Sequence, residues 1–283
     1  MDIKRKISRM QMTQNRSGDM EYLTFPILEK TGLVRHLFST RLGGVSSGIF
    51  STMNLSYTRG DEKTAVDENY RRIAEALGCG LSDFVCSDQT HTTNIRVVNE
   101  SDRGKGILSP KDYTEIDGFI TNVPGIVLAT FYADCVPLFF IDTEKKAVGL
   151  SHSGWRGTVG RMGERTIEAM KKEYGTRPED VVAAIGPSIC KDCYEVSEDV
   201  ADRFRQEFCK DGQCGKILTA KPDGKYQLDL WAANYIVLTE AGVLPENIQV
   251  TDICTCCNPD YLFSHRASQG KRGNLGAFLG LNP

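Results

Sequence analysis

Polar and apolar positions alternate in blocks along the chain. Val34–Thr40, Ile95–Val98 and Gly118–Thr121 are short runs rich in β-branched or aromatic residues and read as strands. Gly125 to Ile141 is the longest apolar stretch. It carries Asp134 and Pro137 at its centre, so it reads as two buried strands, Ile126–Tyr132 and Pro137–Asp142, and not as a membrane span. Ala147–His152, Val181–Ile185, Ile248–Cys254, Tyr261–Ser264 and Leu275–Leu279 complete the strand-like set. The helical period appears over Thr64–Leu77, where Val66, Tyr70, Ile73 and Leu77 share a face. Thr64 is the expected cap, Asp67 holds the box position, and Gly78 is the stop. Met162–Tyr174 repeats the pattern. Ser197 is expected to cap a helix through Phe208, and Asp229 another through Glu240.

Several strands follow one another without a helix between them. That predicts a mixed fold with antiparallel pairing, not a regular βαβ barrel or dinucleotide-binding sheet. No GxGxxG follows a strand in the right place, and no Walker A sequence is present. Residues 1–20 show no apolar period and are expected to form a mobile arm. Residues 21–283 then make one catalytic domain, since no linker or repeat interrupts them.

Charge changes the picture in one respect. With 34 basic and 37 acidic residues, the net charge of −3 argues against nucleic acid as a partner. The N-terminus lacks the apolar segment of a signal peptide. A cytoplasmic protein with reduced thiols and no disulfide framework is expected.

Chemistry gathers at the predicted strand ends. His91 precedes Ile95–Val98, Cys135 follows Ile126–Tyr132, and His152 ends Ala147–His152. Two imidazoles and a thiol make a three-ligand zinc set with an open fourth position, although their spacing matches no short zinc motif. The opposing reading is two satisfied histidines and a core cysteine. Asp134, between two apolar strands, is either a turn residue bonded to nearby amides or a working carboxylate. Arg41, Arg156 and Arg266 sit in glycine-rich or strand-end turns where a guanidinium fork could meet phosphate; Arg156 is favoured because it neighbours His152. The Cys254–Thr–Cys–Cys257 run reads as lacking a properly spaced CxxC pair. Cys190–Lys–Asp–Cys193 does form one, but without a thioredoxin-like setting. Both are taken as packed thiols.

Taken together, the motifs resemble the YfiH-like family, also called laccase-domain or multicopper polyphenol oxidase proteins and described as purine nucleoside phosphorylases. The resemblance runs from about Arg35 onward. It rests on Phe38–Ser–Thr–Arg–Leu–Gly–Gly–Val–Ser46, Gln89–Thr–His91, Ala133–Asp–Cys–Val–Pro137, His152–Ser–Gly–Trp–Arg–Gly157, Gly186–Pro187, Cys193–Tyr–Glu–Val196 and Phe263–Ser264. The chain departs from the family's Phe-Ser-Tyr-Arg-Arg, reading Phe263–Ser–His–Arg–Ala267. The resemblance implies an α+β fold of four α/β/β/α layers with mixed sheets. It implies metal ligation by His91, Cys135 and His152, with Zn2+ as the ion and Cu2+ as the other the donors accept. It also implies phosphorolysis of adenosine, inosine and methylthioadenosine, with adenosine deamination as a side activity. On that reading Asp134 relays a proton or orients a ligand, and Arg156, Arg41, Gln89 and Arg266 serve substrate and phosphate. The protein would be a monomer or weak homo-oligomer. The rival reading is a metal-free cysteine hydrolase, with Cys135 as nucleophile, His152 as base and Gln89 at the oxyanion, acting for example in peptidoglycan-precursor editing. A copper oxidase is disfavoured, because four histidines cannot supply several coppers.

Overall fold

A computed structural model describes residues 3–6, 11–209 and 214–283. The first sheet runs β1 (Thr13–Ser17), β2 (Met20–Thr24), β3 (Val34–Ser39), β15 (Leu275–Leu281), β7 (Val127–Tyr132) and β4 (Phe84–Cys86). The second runs β14 (Ile248–Val250), β10 (Val181–Ile185), β8 (Val136–Asp142), β9 (Ala147–Ser153), β6 (Gly118–Thr121) and β5 (Ile95–Val97). Both mix parallel and antiparallel pairs: β4 lies parallel to β7, and β8 antiparallel to β9. A small third sheet joins β11 (Glu195–Val196), β13 (Tyr226–Leu228) and β12 (Leu218–Ala220).

Strand parity explains the layering. Alternate side chains point to opposite faces of a sheet. On β8, Phe139 and Ile141 face the other sheet, while Leu138 and Phe140 face helices Met162–Tyr174 and Leu230–Glu240. On β7, Leu128 and Tyr132 face inward and Val127 and Ala129 face helix Lys63–Leu77. Both strands are therefore covered on both faces, which is why each is apolar at nearly every position, the polar break at Asp134 falling in the turn between them. The result is the four-layer helix–sheet–sheet–helix arrangement, with no helix among the described residues long and apolar enough to cross a membrane.

Several sequence expectations shift. The mobile arm over 1–20 gives way, where described, to anchored chain. Thr13–Ser17 is a strand paired with β2, Met12 is buried, and Arg5 is salt-bridged to buried Asp252. Backbone pairing and an ion pair hold this segment, so it needs no apolar period. Residues 1–2 and 7–10 lie outside the described residues. Helix Lys63–Leu77 starts one residue early. Thr64 does not cap it; Asp67 instead binds Lys63 and accepts the Tyr57 hydroxyl. Gly78 ends it in the left-handed conformation, as expected. Ser197 bonds Asp199, not the helix amides, whereas Asp229 does cap through the Ala232 amide. Tyr261–Ser264 is not a strand, and Ile248–Cys254 stops at Val250. Cys209 and Cys214 are disulfide-linked, against the expectation of free thiols throughout.

Candidate metal centre and active site

Three chain segments converge where the first sheet's β7 hands over to the second sheet's β8. Cys135 lies in the turn between them. His152 stands near the end of β9, and His91 lies in the loop before β5. The Cys135 thiol is 3.9 Å from His91 Nε2, and the three donor atoms all lie within 4.8 Å of one another. The imidazoles meet edge to face with centroids 5.0 Å apart. Ligands 2.0–2.3 Å from one tetrahedral zinc sit about 3.3–3.8 Å from each other, so small rotations close this set around an ion. Gly154 makes room for it: a Cβ there would meet Cys135 Sγ at 2.9 Å and His91 Cδ2 at 3.1 Å. Donor chemistry and cradle both fit a single thiophilic divalent cation.

The organiser of the site is Asp117, at the start of β6. Its Oδ1 lies 2.7 Å from His152 Nδ1, which fixes that ring with Nε2 free for a metal. The same oxygen accepts the His91 amide at 3.0 Å, while Oδ2 accepts the Thr90 and Thr92 amides and the Thr92 hydroxyl. His91 holds a left-handed backbone, φ 68°, and that bend lets three consecutive amides point at one carboxylate. Burial opposes ionisation of Asp117, but the His152 bond and these amides outweigh it and bring the carboxyl down to about 2. Burial likewise opposes charge on Cys135 and His152. Each overcomes it through the other, so the thiol falls to about 6 and the imidazole, helped by Asp117, rises to about 9. Without metal both shifts favour the thiolate–imidazolium form of the pair.

Two cavities meet at this point. One, of about 420 Å³, is lined by Arg59, Gln89, Lys111, Tyr57, Phe131 and Arg272 among others. The other, of about 390 Å³, is lined by Trp155, Ile189, Tyr194, Leu230, His265 and Arg266. His91, Cys135 and Arg272 border both.

Of the remaining expected site residues, Asp134, Gln89 and Arg266 border these cavities, and Arg41 and Arg156 do not. Asp134 accepts the Thr255 hydroxyl at 2.7 Å and the Arg266 amide at 2.8 Å; neither ligand histidine is its partner, and the orienting role belongs to Asp117. Gln89 donates to the Phe131 carbonyl and accepts the Phe131 amide, so its amide extends β7 like an extra strand and is spent there. Arg41 is tied to the Ser51 and Pro259 carbonyls over the Phe263 ring and borders neither cavity. Arg156 lies over the Trp155 ring at 4.4 Å and also borders neither cavity. Arg266 does line the second cavity, with its guanidinium on the Cys193 and Glu195 carbonyls. Arg272 was not anticipated. It is partly buried, its Nη1 donates to the Gly273 carbonyl and to Asn274 Oδ1, its Nε has no hydrogen-bond partner, and no carboxylate pairs with it among the described residues. Burial and nearby Arg59 pull its pKa down to about 10. Its flanking glycines, Gly270 and Gly273, are the same signal that drew attention to Arg156.

Comparison with known proteins agrees with this architecture. The profile of the family described as multi-copper polyphenol oxidoreductase laccase matches residues 35–282. Purine nucleoside phosphorylase YlmD of Bacillus subtilis (strain 168) is 37% identical over 247 residues, 86% of this chain and 87% of that protein. Adenosine deaminase RL5 from an unknown prokaryotic organism is 36% identical over 232 residues, 81% of this chain and 87% of its own. The crystal structure of YlmD from Geobacillus stearothermophilus matches with a TM-score of 0.87 at 34% identity, covering 95% of this chain and 99% of that one. The sequence motifs, the layered sheets and these likenesses concur: the chain belongs to the multi-copper polyphenol oxidoreductase laccase family.

Proposed function

We propose that the protein is a purine nucleoside enzyme of the cytoplasm, cleaving adenosine, inosine and methylthioadenosine with phosphate and also deaminating adenosine. The observation that carries this is the placement of the His91–Cys135–His152 donor set at the junction of a cavity carrying Arg59 and Arg272 and a second, aromatic cavity walled by Trp155 and Tyr194. The names of the relatives support both reactions.

His91, Cys135 and His152 would hold the ion, which we take as zinc. When bound, it supplies Lewis acidity at the point where the two cavities meet. The chain's own groups do the positioning. Asp117 holds the His152 proton on Nδ1 and keeps both imidazoles aligned. Arg272, with Arg59 on the same cavity wall, offers phosphate a local positive field that the acidic chain as a whole lacks, while Lys111 there is already paired with Asp88. Trp155, Tyr194, Ile189 and Leu230 offer a flat purine an apolar slot on the other side. In phosphorolysis a phosphate oxygen bonds to C1′ of the ribose as the bond from C1′ to the base breaks, and the electron pair leaves with the purine. Placing the two reactants on opposite sides of Cys135 is the main contribution the chain makes. Copper oxidase chemistry needs more imidazoles than remain. His36 accepts the Phe25 amide deep in the core, and His265 lines the second cavity without joining the donor set.

One observation favours a second reading. Asp117, His152 and Cys135 stand in the order of a catalytic triad, with the thiol's pKa drawn down by the neighbouring imidazoles. Two measurements decide. Purified protein incubated with adenosine and phosphate should yield adenine and ribose 1-phosphate, and without phosphate inosine; formation of neither overturns the nucleoside reading. Cys135→Asp retains a metal ligand but no nucleophilic sulfur. Retained activity removes the cysteine hydrolase, whereas loss of activity at full metal content supports it.

A further inference from the structure

Far from being unrelated packed thiols, Cys190 and Cys193 meet Cys254 and Cys257. Read with the outer two cysteines as partners, the Cys254–Thr–Cys–Cys257 run is a CxxC, so the chain carries two CxxC pairs. The first follows β10 and the second follows β14, which are parallel neighbours in the second sheet. Parallel strands deliver their following loops to the same edge, and the four thiols arrive together: all four sulfurs lie within 4.8 Å of one another. Cys193 and Cys257 are 3.4 Å apart, Cys190 and Cys257 4.0 Å. Four thiolates bound at about 2.3 Å to one tetrahedral ion have sulfur–sulfur edges of about 3.8 Å. The observed spacing fits one ion and is too tight for a multi-iron cluster.

The surroundings are built for charged sulfur. The Cys190 amide donates to Cys254 Sγ at 3.2 Å. Lys6 reaches in from the N-terminal segment, and its charge acts on both Cys190 and Cys257. Four thiolates around a divalent cation carry a net −2, which that lysine partly offsets.

We propose that Cys190, Cys193, Cys254 and Cys257 hold a second, structural zinc ion, separate from the His91–Cys135–His152 centre. Binding releases the thiol protons and changes no oxidation state. The four ligands close the coordination sphere, so this ion has no open position for substrate. Its effect on the reaction is through position. The Cys254 loop carries Thr255, which holds Asp134, and the Cys190 loop carries the Cys193 carbonyl, which holds Arg266. Asp134 in turn precedes Cys135. The second zinc thus pins the wall of the aromatic cavity.

The test uses the full-length chain under reducing conditions. A variant lacking the first centre, His91→Ala/Cys135→Ser/His152→Ala, should retain one zinc per chain. Adding Cys193→Ser and Cys254→Ser should take this to none. Cobalt loaded into the first variant should show the intense bands of a four-thiolate tetrahedron. If cysteine variants fail to fold, the unaltered chain titrated with an organomercurial should release a second zinc as these four thiols react. The proposal is overturned if the first variant binds neither zinc nor cobalt after reduction. It is equally overturned by a Cys193–Cys257 disulfide in freshly purified protein, or by iron in place of zinc.

Discussion

Asp117 and His152 are joined twice. The Asp117 carboxylate lies 2.7 Å from the ring Nδ1, and the His152 backbone amide donates to the Asp117 carbonyl, also at 2.7 Å. The same carboxylate gathers the loop carrying His91. One side chain therefore holds the His152 ring and the backbone of the His91 loop, both parts of the proposed metal set, while itself bordering neither cavity.

This makes Asp117 the positioning residue to change. Asp117→Asn keeps the shape but loses an acceptor for the Thr90 and Thr92 amides. It should weaken zinc binding about 10–100-fold, as such supporting partners generally do. Asp134→Asn should leave that affinity unchanged. Competition with a chromogenic chelator reads both, and equal affinity in Asp117→Asn would refute the assignment.

Acid should act through the same group. The Asp117 carboxyl is depressed from 3.8 to about 2. A depressed acid contributes stability that is complete above the unfolded value and is lost as pH falls toward the folded one. The window is therefore roughly pH 4 to 2, and the loss is about 2 kcal/mol. Denaturant melts of metal-stripped protein across that range should show the slope in the native chain and a shallower one in Asp117→Asn.

Cys135 in metal-stripped protein should alkylate with a half-maximal rate near pH 6 instead of near 9, because His152 and His91 hold the thiolate. Peptide mass spectrometry isolates this site from the other thiols. Zinc should suppress the reaction by occupying the sulfur.

Arg272→Ala should raise the phosphate KM at least about tenfold while sparing deamination, which takes water in place of phosphate. Arg272→Lys should rescue only in part, since an ammonium lacks the guanidinium fork. Arg156→Ala should leave both reactions near normal, because its guanidinium is laid on Trp155. Parallel assays of the two reactions decide which arginine serves the anion.

Gly154→Ala tests the cradle. The added methyl would press on Cys135 Sγ and His91 Cδ2. Metal affinity should drop while the melting temperature of the metal-free chain changes little. A large fall in that temperature would instead place Gly154 in the structural core.

The strand-rich mixed fold was legible in the β-branched and aromatic runs, whereas the four layers were legible only through the family resemblance, because periodicity along one strand does not say what covers its faces. The three donors were exposed through motif resemblance, not through spacing, since each comes from a different strand end. Asp117 was invisible because its partners lie 26 and 35 residues away, at His91 and His152. Arg272 was hidden among arginines with similar glycine neighbours; only burial separates it from Arg156. The cysteine cluster was legible in principle, as two CxxC pairs, but pairing them requires knowing that β10 and β14 run side by side.

The strand order has a consequence for how the protein is made. β15 lies between β3 and β7 in the first sheet, bonded to both, and all its residues are buried. Its neighbours leave the ribosome long before it does. Until Leu275–Leu281 has been translated, β3 and β7 each present an unpaired, adhesive edge. The nascent chain must therefore wait, with the middle of its first sheet open, for a late piece to slot in. Such long-range closure folds slowly and is exposed to aggregation on the way. Production should gain from chaperones that shield these edges until the last strand emerges, independently of any change to the proposed active site.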